Sequence, residues 1–370
     1  VLNMENTSRA YIDEGAKINQ DENLRSPYQN VEVVAKSSID TVNLAGVFGF
    51  KGFGAQGGKT GVGGAYLGVN ASNTTESLIK KGSKLYAESL LINADSHTNT
   101  FAIAEAGTTA DTFAIAGSFS LLQSDNNTLA QIEEGAEITT GTGTVTIPRD
   151  IHHLFGSDNW ITAFNDITVE YIPYILDSNG DDTLNTDDDH ITGLDDENYF
   201  TDLNQFIYAQ DDSRLFNIAG GIVKGKNVGI GFSVSINEID SNTHALVGND
   251  IENSDIASLL SRGKIKLAAL NRGAIDSWSL AASVTVPSST NPDTVKDAPQ
   301  GGGKFGISIS GDVSINDIDS TSVAYISNTD MTMENAGDLE IDARNDADIH
   351  AVSGLSLIHI SEPTRLGMIS

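Results

Sequence analysis

One phrase, written twice with almost the same alternation, restricts this chain more than any other feature. VGIGFSVSINEIDSNTHALV (Val228 to Val247) and ISISGDVSINDIDSTSVAYI (Ile307 to Ile326) agree in their polar and apolar positions nearly residue for residue. Their period of two belongs to a β-strand; a helix would scatter the same residues around its axis. Looser copies come earlier in the chain. Aligning on the apolar residue after a small-x pair gives Ile12, Ile79, Ile132, Val247 and Ile326, with Ala10, Ser77, Ala130, Ala245 and Ala324 two positions before them. The intervals are 67, 53, 115 and 79 residues. A retained phrase at irregular spacing describes stacked units joined by variable loops, because loops tolerate insertion and core-forming strands do not.

Each copy reads as a Gly-rich strand, an Asn/Asp/Ser/Thr corner, a small-x-apolar strand and a further alternating strand. In the last copy these end at Ile326 and Ala343. Short alternating strands with turn-forming corners predict an all-β parallel β-solenoid, whose rungs stack about 4.8 Å apart and cannot fold singly. The same Gly-rich strands also fit antiparallel hairpins in a β-sandwich, which stays open as the alternative. GVGGAYLG, with Gly61, Gly63 and Gly64, matches part of a dinucleotide fingerprint. No helical pattern follows it, so closely packed strand is the expected role.

The 115-residue interval contains an insertion of different composition. The expected division is solenoid over residues 1–148, acidic insertion over 149–214, solenoid over 215–354 and a tail over 355–370. Within the insertion, DSNGDDTLNTDDD (Asp177 to Asp189) places Asp177, Asn179 and Asp181 at alternating positions. Thr183 is available through its carbonyl, Leu184 serves as an apolar anchor, and Asp188 stands at position twelve. A tight loop can aim such oxygens at one Ca2+. The loop resembles EF-hand and, more closely, dockerin-type calcium loops, but Asp182 occupies the usual glycine position and no second loop of the pair is visible. His152, His153 and His190 fit no recognised metal spacing.

Charge narrows the partners. Lys and Arg total 21 against 51 Asp and Glu, a formal charge of -30, which repels nucleic-acid backbones and anionic lipid. There is no cysteine, so disulfides and thiolate metal sites are excluded. No run approaches a membrane span, and no signal peptide follows Val1. LSLIHISEPTR (Leu355 to Arg365) resembles a translated transposase-type sequencing adapter, and LGMIS (Leu366 to Ser370) is expected to continue it. Natural sequence is therefore expected to end near Gly354.

The phrase G-x-[SA]-x-[SA]-x-N, followed by N-T-x-x-A-x-I and x-L-x-I-x-A, resembles the repeats of large bacterial secreted proteins. These are the filamentous haemagglutinin-like adhesins and leukotoxin-like giant proteins. The resemblance covers nearly all of Asn6 to Gly354 outside the insertion. It implies an extracellular or bacterial cell-surface location and a structural, adhesive, non-enzymatic role. The implied partners are adjacent repeats of a longer chain and host or neighbouring-cell glycans or proteins. Two other classes stay open. One is a polysaccharide-active β-helix enzyme, which needs paired carboxylates near a base or Arg. Asp195/Asp196 and Asp211/Asp212 are adjacent acidic pairs, but such pairs are expected in so acidic a chain, and basic residues look scattered along it. The other is a calcium-dependent binding module.

Overall fold

The computed structural model describes residues 1–46, 55–145, 203–249, 255–285, 306–334 and 337–359. Five successive rungs each contribute one strand to three sheets, and every strand pairing is parallel, so the chain is a parallel β-solenoid rather than an antiparallel sandwich. Sheet A stacks β1 (Leu2–Ile12), β5 (Thr60–Ile79), β8 (Phe113–Ile132), β11 (Val228–Val247) and β14 (Ile307–Ile326). Sheet B stacks the short strands β2 (Lys17–Ile18), β6 (Lys84–Ala87), β9 (Glu137–Thr140), β12 (Ala257–Ser261) and β15 (Thr329–Met333). Sheet C stacks β3 (Val31–Gly46), β7 (Leu90–Ala110), β10 (Leu203–Gly225), β13 (Lys264–Thr285) and β16 (Leu339–His359), with β4 (Ala55–Gly57) beside β7. Sheets A and C are long, B is short, and the rung is correspondingly flat.

The alignment made on the sequence is the register of the stack. Ile12 pairs with Ile79, Ile79 with Ile132, Ile132 with Val247 and Val247 with Ile326. Ile79, Ile132 and Val247 in this column are fully buried. They pack with Val33, Ile92, Ile207 and Leu267 of sheet C and Leu85, Ile138 and Leu259 of sheet B to form the main apolar core. The corner from A to B turns on stacked glycines: Gly15, Gly82 and Gly135 have φ of 68°, 66° and 66°, a backbone that L side chains resist. Around them Lys80 meets Asp13 at 3.0 Å and Lys84 meets Glu137 at 2.7 Å, ion pairs that join one rung to the next.

The Asn/Asp/Ser/Thr run is not a corner. Each A strand passes straight through it, and its alternate residues point inward to face sheet C. Asn73 and Asn126 are fully buried, and Asn73 Nδ2 donates to Ser96 Oγ at 3.0 Å while Asn126 Nδ2 donates to Ser213 Oγ at 2.6 Å. One rung further, Asn271 Nδ2 donates to Ser241 Oγ at 2.6 Å. Polar side chains that satisfy one another across the two sheets keep the strand extended, whereas the same residues bonding their own backbone would turn it. In the same way the last alternating strand does not stop at Ala343; its ladder with β13 continues through His359.

Asp211 lies inside this polar spine, between Ser96 and Asn271 of the adjoining rungs. Its Oδ2 accepts from Ser213 and from Ser241, each at 2.7 Å. Burial pushes its pKa up to about 6 against the pull of the hydrogen bonds from Ser241, Ser213 and Ser96. Asp211 Oδ1 and Asn271 Oδ1, on paired residues of neighbouring rungs, both lack a hydrogen-bond partner.

Toward the far end of A and C the interior is filled mainly by small residues, such as Ala106, Ala110, Ala114 and Ala116, with Val223 among them. The two sheets run close together there: a Cβ built on Gly63 would stand 2.4 Å from the carbonyl oxygen of Gly107. Gly61 and Gly63 therefore serve close packing, as expected for strand glycines. Gly64, between them and sheet A's outer surface, points the other way.

Candidate functional site

The residues expected to hold calcium, Asp177, Asn179, Asp181, Thr183 and Asp188, lie outside the described residues, as do His152, His153, His190, Asp195 and Asp196. What the structure does describe is where that part of the chain leaves and returns. Val145 N donates to the carbonyl of Leu203 at 2.6 Å, so the two ends of the 146–202 stretch meet at one point of the third rung.

That neck is pinned by Asn204 and Glu88, both nearly solvent-free. Asn204 Nδ2 donates to the carbonyls of Glu88, Gly141 and Gly143 at 2.9, 3.0 and 2.7 Å. Its Oδ1 accepts from the hydroxyls of Thr140 and Ser261. The Glu88 carboxylate receives Tyr86 Oη at 2.8 Å and the Thr142 amide at 3.0 Å. Gly141 and Gly143 have no room for a side chain, since a Cβ on either would press on Glu88. The sequence contained no signal for this knot, because its members come from four strands and two loops.

From the neck, β10 carries a surface that the sequence reading missed. Strand alternation splits Asp211 and Asp212: Asp211 enters the polar spine and Asp212 faces outward. The adjacent pair therefore cannot act as paired carboxylates. On the outer face, however, basic side chains do converge. Arg214 Nε lies 3.3 Å from Asp212 Oδ1, His97 Nδ1 lies 3.8 Å from Asp212 Oδ2, and His97 Nε2 lies 3.9 Å from Asp40 Oδ1. Arg272 stands beside Asp212 in the next rung. Two columns along, His350 Nδ1 is 3.3 Å from Asp276 and its Nε2 is 3.7 Å from Asp348. The basic residues that look scattered along the chain are assembled by parallel register.

Burial raises the pKa of Asp276 despite the opposing pull of His350. Burial also pushes Asp95, on the same face, up to about 7; Lys36 draws it down while Asp212 and Asp211 add to the rise. Flanking this charged strip, Phe101 and Phe216 stack at 4.9 Å with their planes 3° apart. On its other side Phe206 and Tyr208 stack at 5.0 Å in a buried apolar cluster that also takes in Leu91, Leu270 and Val145. Extending the V-V-A, I-N-A, I-Y-A, L-A-A and I-D-A alignment of the C strands (Ala35, Ala94, Ala209, Ala269, Ala343) would have predicted these neighbours.

Chemically the strip offers fixed carboxylates, guanidinium groups and imidazoles that can hydrogen-bond hydroxyl-rich or peptide surfaces. Asp212 is already engaged by Arg214. Among the described residues no group of three His, Cys, Asp or Glu could hold a metal ion, and no helix is long and apolar enough to cross a membrane. Fold and surface together define a class: a repetitive all-β solenoid with a charged strip on the outer face of sheet C. No protein-family model, no curated protein and no solved structure matches the chain.

Proposed function

We propose that the chain is a segment of an extracellular or cell-surface structural protein, in which the solenoid is a stalk and the insertion, with the adjoining strip of sheet C, makes adhesive contacts. The carrying observation is that one register runs through five rungs while a long excursion departs and returns through a single pinned neck. An insertion at that neck leaves the stacking of the rungs unbroken. Adjacent repeats of a longer chain are the first partners in this reading. It is supported by the interior-facing Leu339, Ile341 and Ile349 of the fifth rung, which are 41%, 46% and 45% exposed where their counterparts Ile265, Leu267 and Ile275 are buried. The second partner class is glycans or proteins of a host or neighbouring cell.

Replacing residues 146–202 by a four-residue linker tests this division. Because the ends already touch, the solenoid should keep its circular dichroism and melt within about 3 °C of the intact chain, since closing a short loop there replaces a longer one at little cost. Binding to cells or to glycan-coated beads should fall at least about tenfold, a loss of about 1.4 kcal/mol. Undiminished adhesion would remove the insertion from the proposed function.

The loop at Asp177 is proposed to bind Ca2+ through Asp177, Asn179, Asp181, the Thr183 carbonyl and Asp188. Calcium should then release or absorb heat on titration and protect the loop from protease, and Asp177→Ala should abolish both effects. A flat titration of the intact chain would end that proposal.

A further inference from the structure

Sheet A has its large side chains on the wrong side for an ordinary core over the half of its strands nearest the tip. In β11 the inward positions are Gly229, Gly231, Ser233 and Ser235, while Val228, Ile230, Phe232, Val234 and Ile236 face out. The outward columns repeat this in other rungs: Val62, Ile115 and Ile309 align with Ile230, and Tyr66, Phe119 and Val313 align with Val234. Val62 is 67% exposed, Tyr66 55% and Ile309 52%. One column is nearly all glycine, Gly64, Gly117 and Gly311, and a Cβ built on Gly117 would fall 2.0 Å from the ring of Phe232, so that ring lies flat across the column. The result is a level apolar face bounded on one side by Glu238, Asp240, Asp317 and Asp319 and on the other by the tip turn at Lys226.

Five columns by four rungs cover about 33 Å by about 19 Å, or about 600 Å². That is at the upper limit for a monomer's largest apolar patch, and close to the roughly 800 Å² per partner of a stable interface. It has the side chains of half a sandwich core, without the facing half.

We propose that a second copy of this chain supplies that half, as a twofold dimer whose axis runs along the stacking direction through the glycine column. Such an axis reverses strand direction and keeps rung opposite rung. Apolar columns then meet apolar columns, while the two acidic strips fall at opposite margins. The same operation brings position 226 of one copy over position 238 of the other, six residues either side of Phe232, so Lys226, paired with Asp111 in its own chain, lies opposite Glu238 without adding a like charge to it. The corresponding outer face of sheet C does not offer this, because Glu105 and Lys224 interrupt it. A basic partner would be drawn to the acidic strip alone; the apolar area, which is close to what each partner of a stable dimer buries, favours self-association. The inference is independent of what the insertion binds.

Sedimentation of the full chain between 1 and 100 µM at moderate salt tests it, with the mass expected to pass from 39.1 kDa to twice that value. The combined Val234→Lys and Ile309→Lys variant should raise the dissociation constant at least 100-fold with unchanged circular dichroism. Because the chain has no cysteine, Gly311→Cys, on the axis, should be joined to its copy by a bismaleimide of about 10 Å span, the spacing of packed sheets. Thr321→Cys, beyond the acidic strip, should not. A chain that stays monomeric throughout, a dimer indifferent to the two lysines, or equal cross-linking at both cysteines would each overturn the proposal.

Discussion

Asp211→Asn should stabilise the chain by about 3 kcal/mol at pH 8 and by almost nothing at pH 4, because a rise of about two pKa units is worth about 1.4 kcal/mol each. Folding raises the pKa of this carboxyl from 3.8 to about 6, so the fold favours its neutral form. The corresponding stability is complete below about pH 4 and is lost as pH rises through 6. Asparagine is neutral throughout, can still accept from Ser213 and Ser241, and brings an amide hydrogen toward Asn271 Oδ1, which now has no partner. Asp95, raised to about 7 and left in place, should keep its own decline as pH rises through 7 in the variant. Urea titrations of both proteins from pH 4 to 8 decide the matter. A variant no more stable at pH 8, or one stabilised equally at every pH, would refute the account of the spine.

Asn204→Ala should cost about 4 kcal/mol, since it strips the donor from the carbonyls of Gly141 and Gly143 at about 1–3 kcal/mol each and weakens the bonding of the groups around them. The carbonyls of Glu88, Gly141 and Gly143 lose their shared donor, and the hydroxyls of Thr140 and Ser261 lose an acceptor. Asn204→Asp should be worse, because it sets a carboxylate against three carbonyl oxygens. The damage should be local first. Amide exchange at Gly141, Gly143 and Val145, whose N–H groups bond to Ala87, Glu88 and Leu203, should quicken well before that of Lys80 or Glu133 at the opposite corner. A loss below about 1 kcal/mol, or uniform exchange across both corners, would mean the neck is held by something else.

The stacking register could be read from the chain because it depends on side-chain size at alternate positions. Ile12, Ile79, Ile132, Val247 and Ile326 had to share a column if Ala or Ser preceded each by two residues. The Asn/Ser run could not be read the same way. Locally, Asn73 and Asn126 favour turns; only the facing serines of sheet C supply the bonds that hold them straight. The strip at Asp212 is hidden in a linear reading, as His97 and Arg214 are far apart in the chain; it emerges only when the C strands are aligned across β7 and β10.

The sequence by itself therefore determined the period-two strands, their stacking and the rung lengths, because those follow from side-chain volume and chain geometry. The tertiary structure decided which face each alternate residue takes. In sheet A's tip half it placed glycine and serine between the sheets and Val, Ile and Phe outside. Alternation fixes that two faces differ, but it does not say which is the interior; the close approach of sheets A and C settles that, because only small residues fit between them.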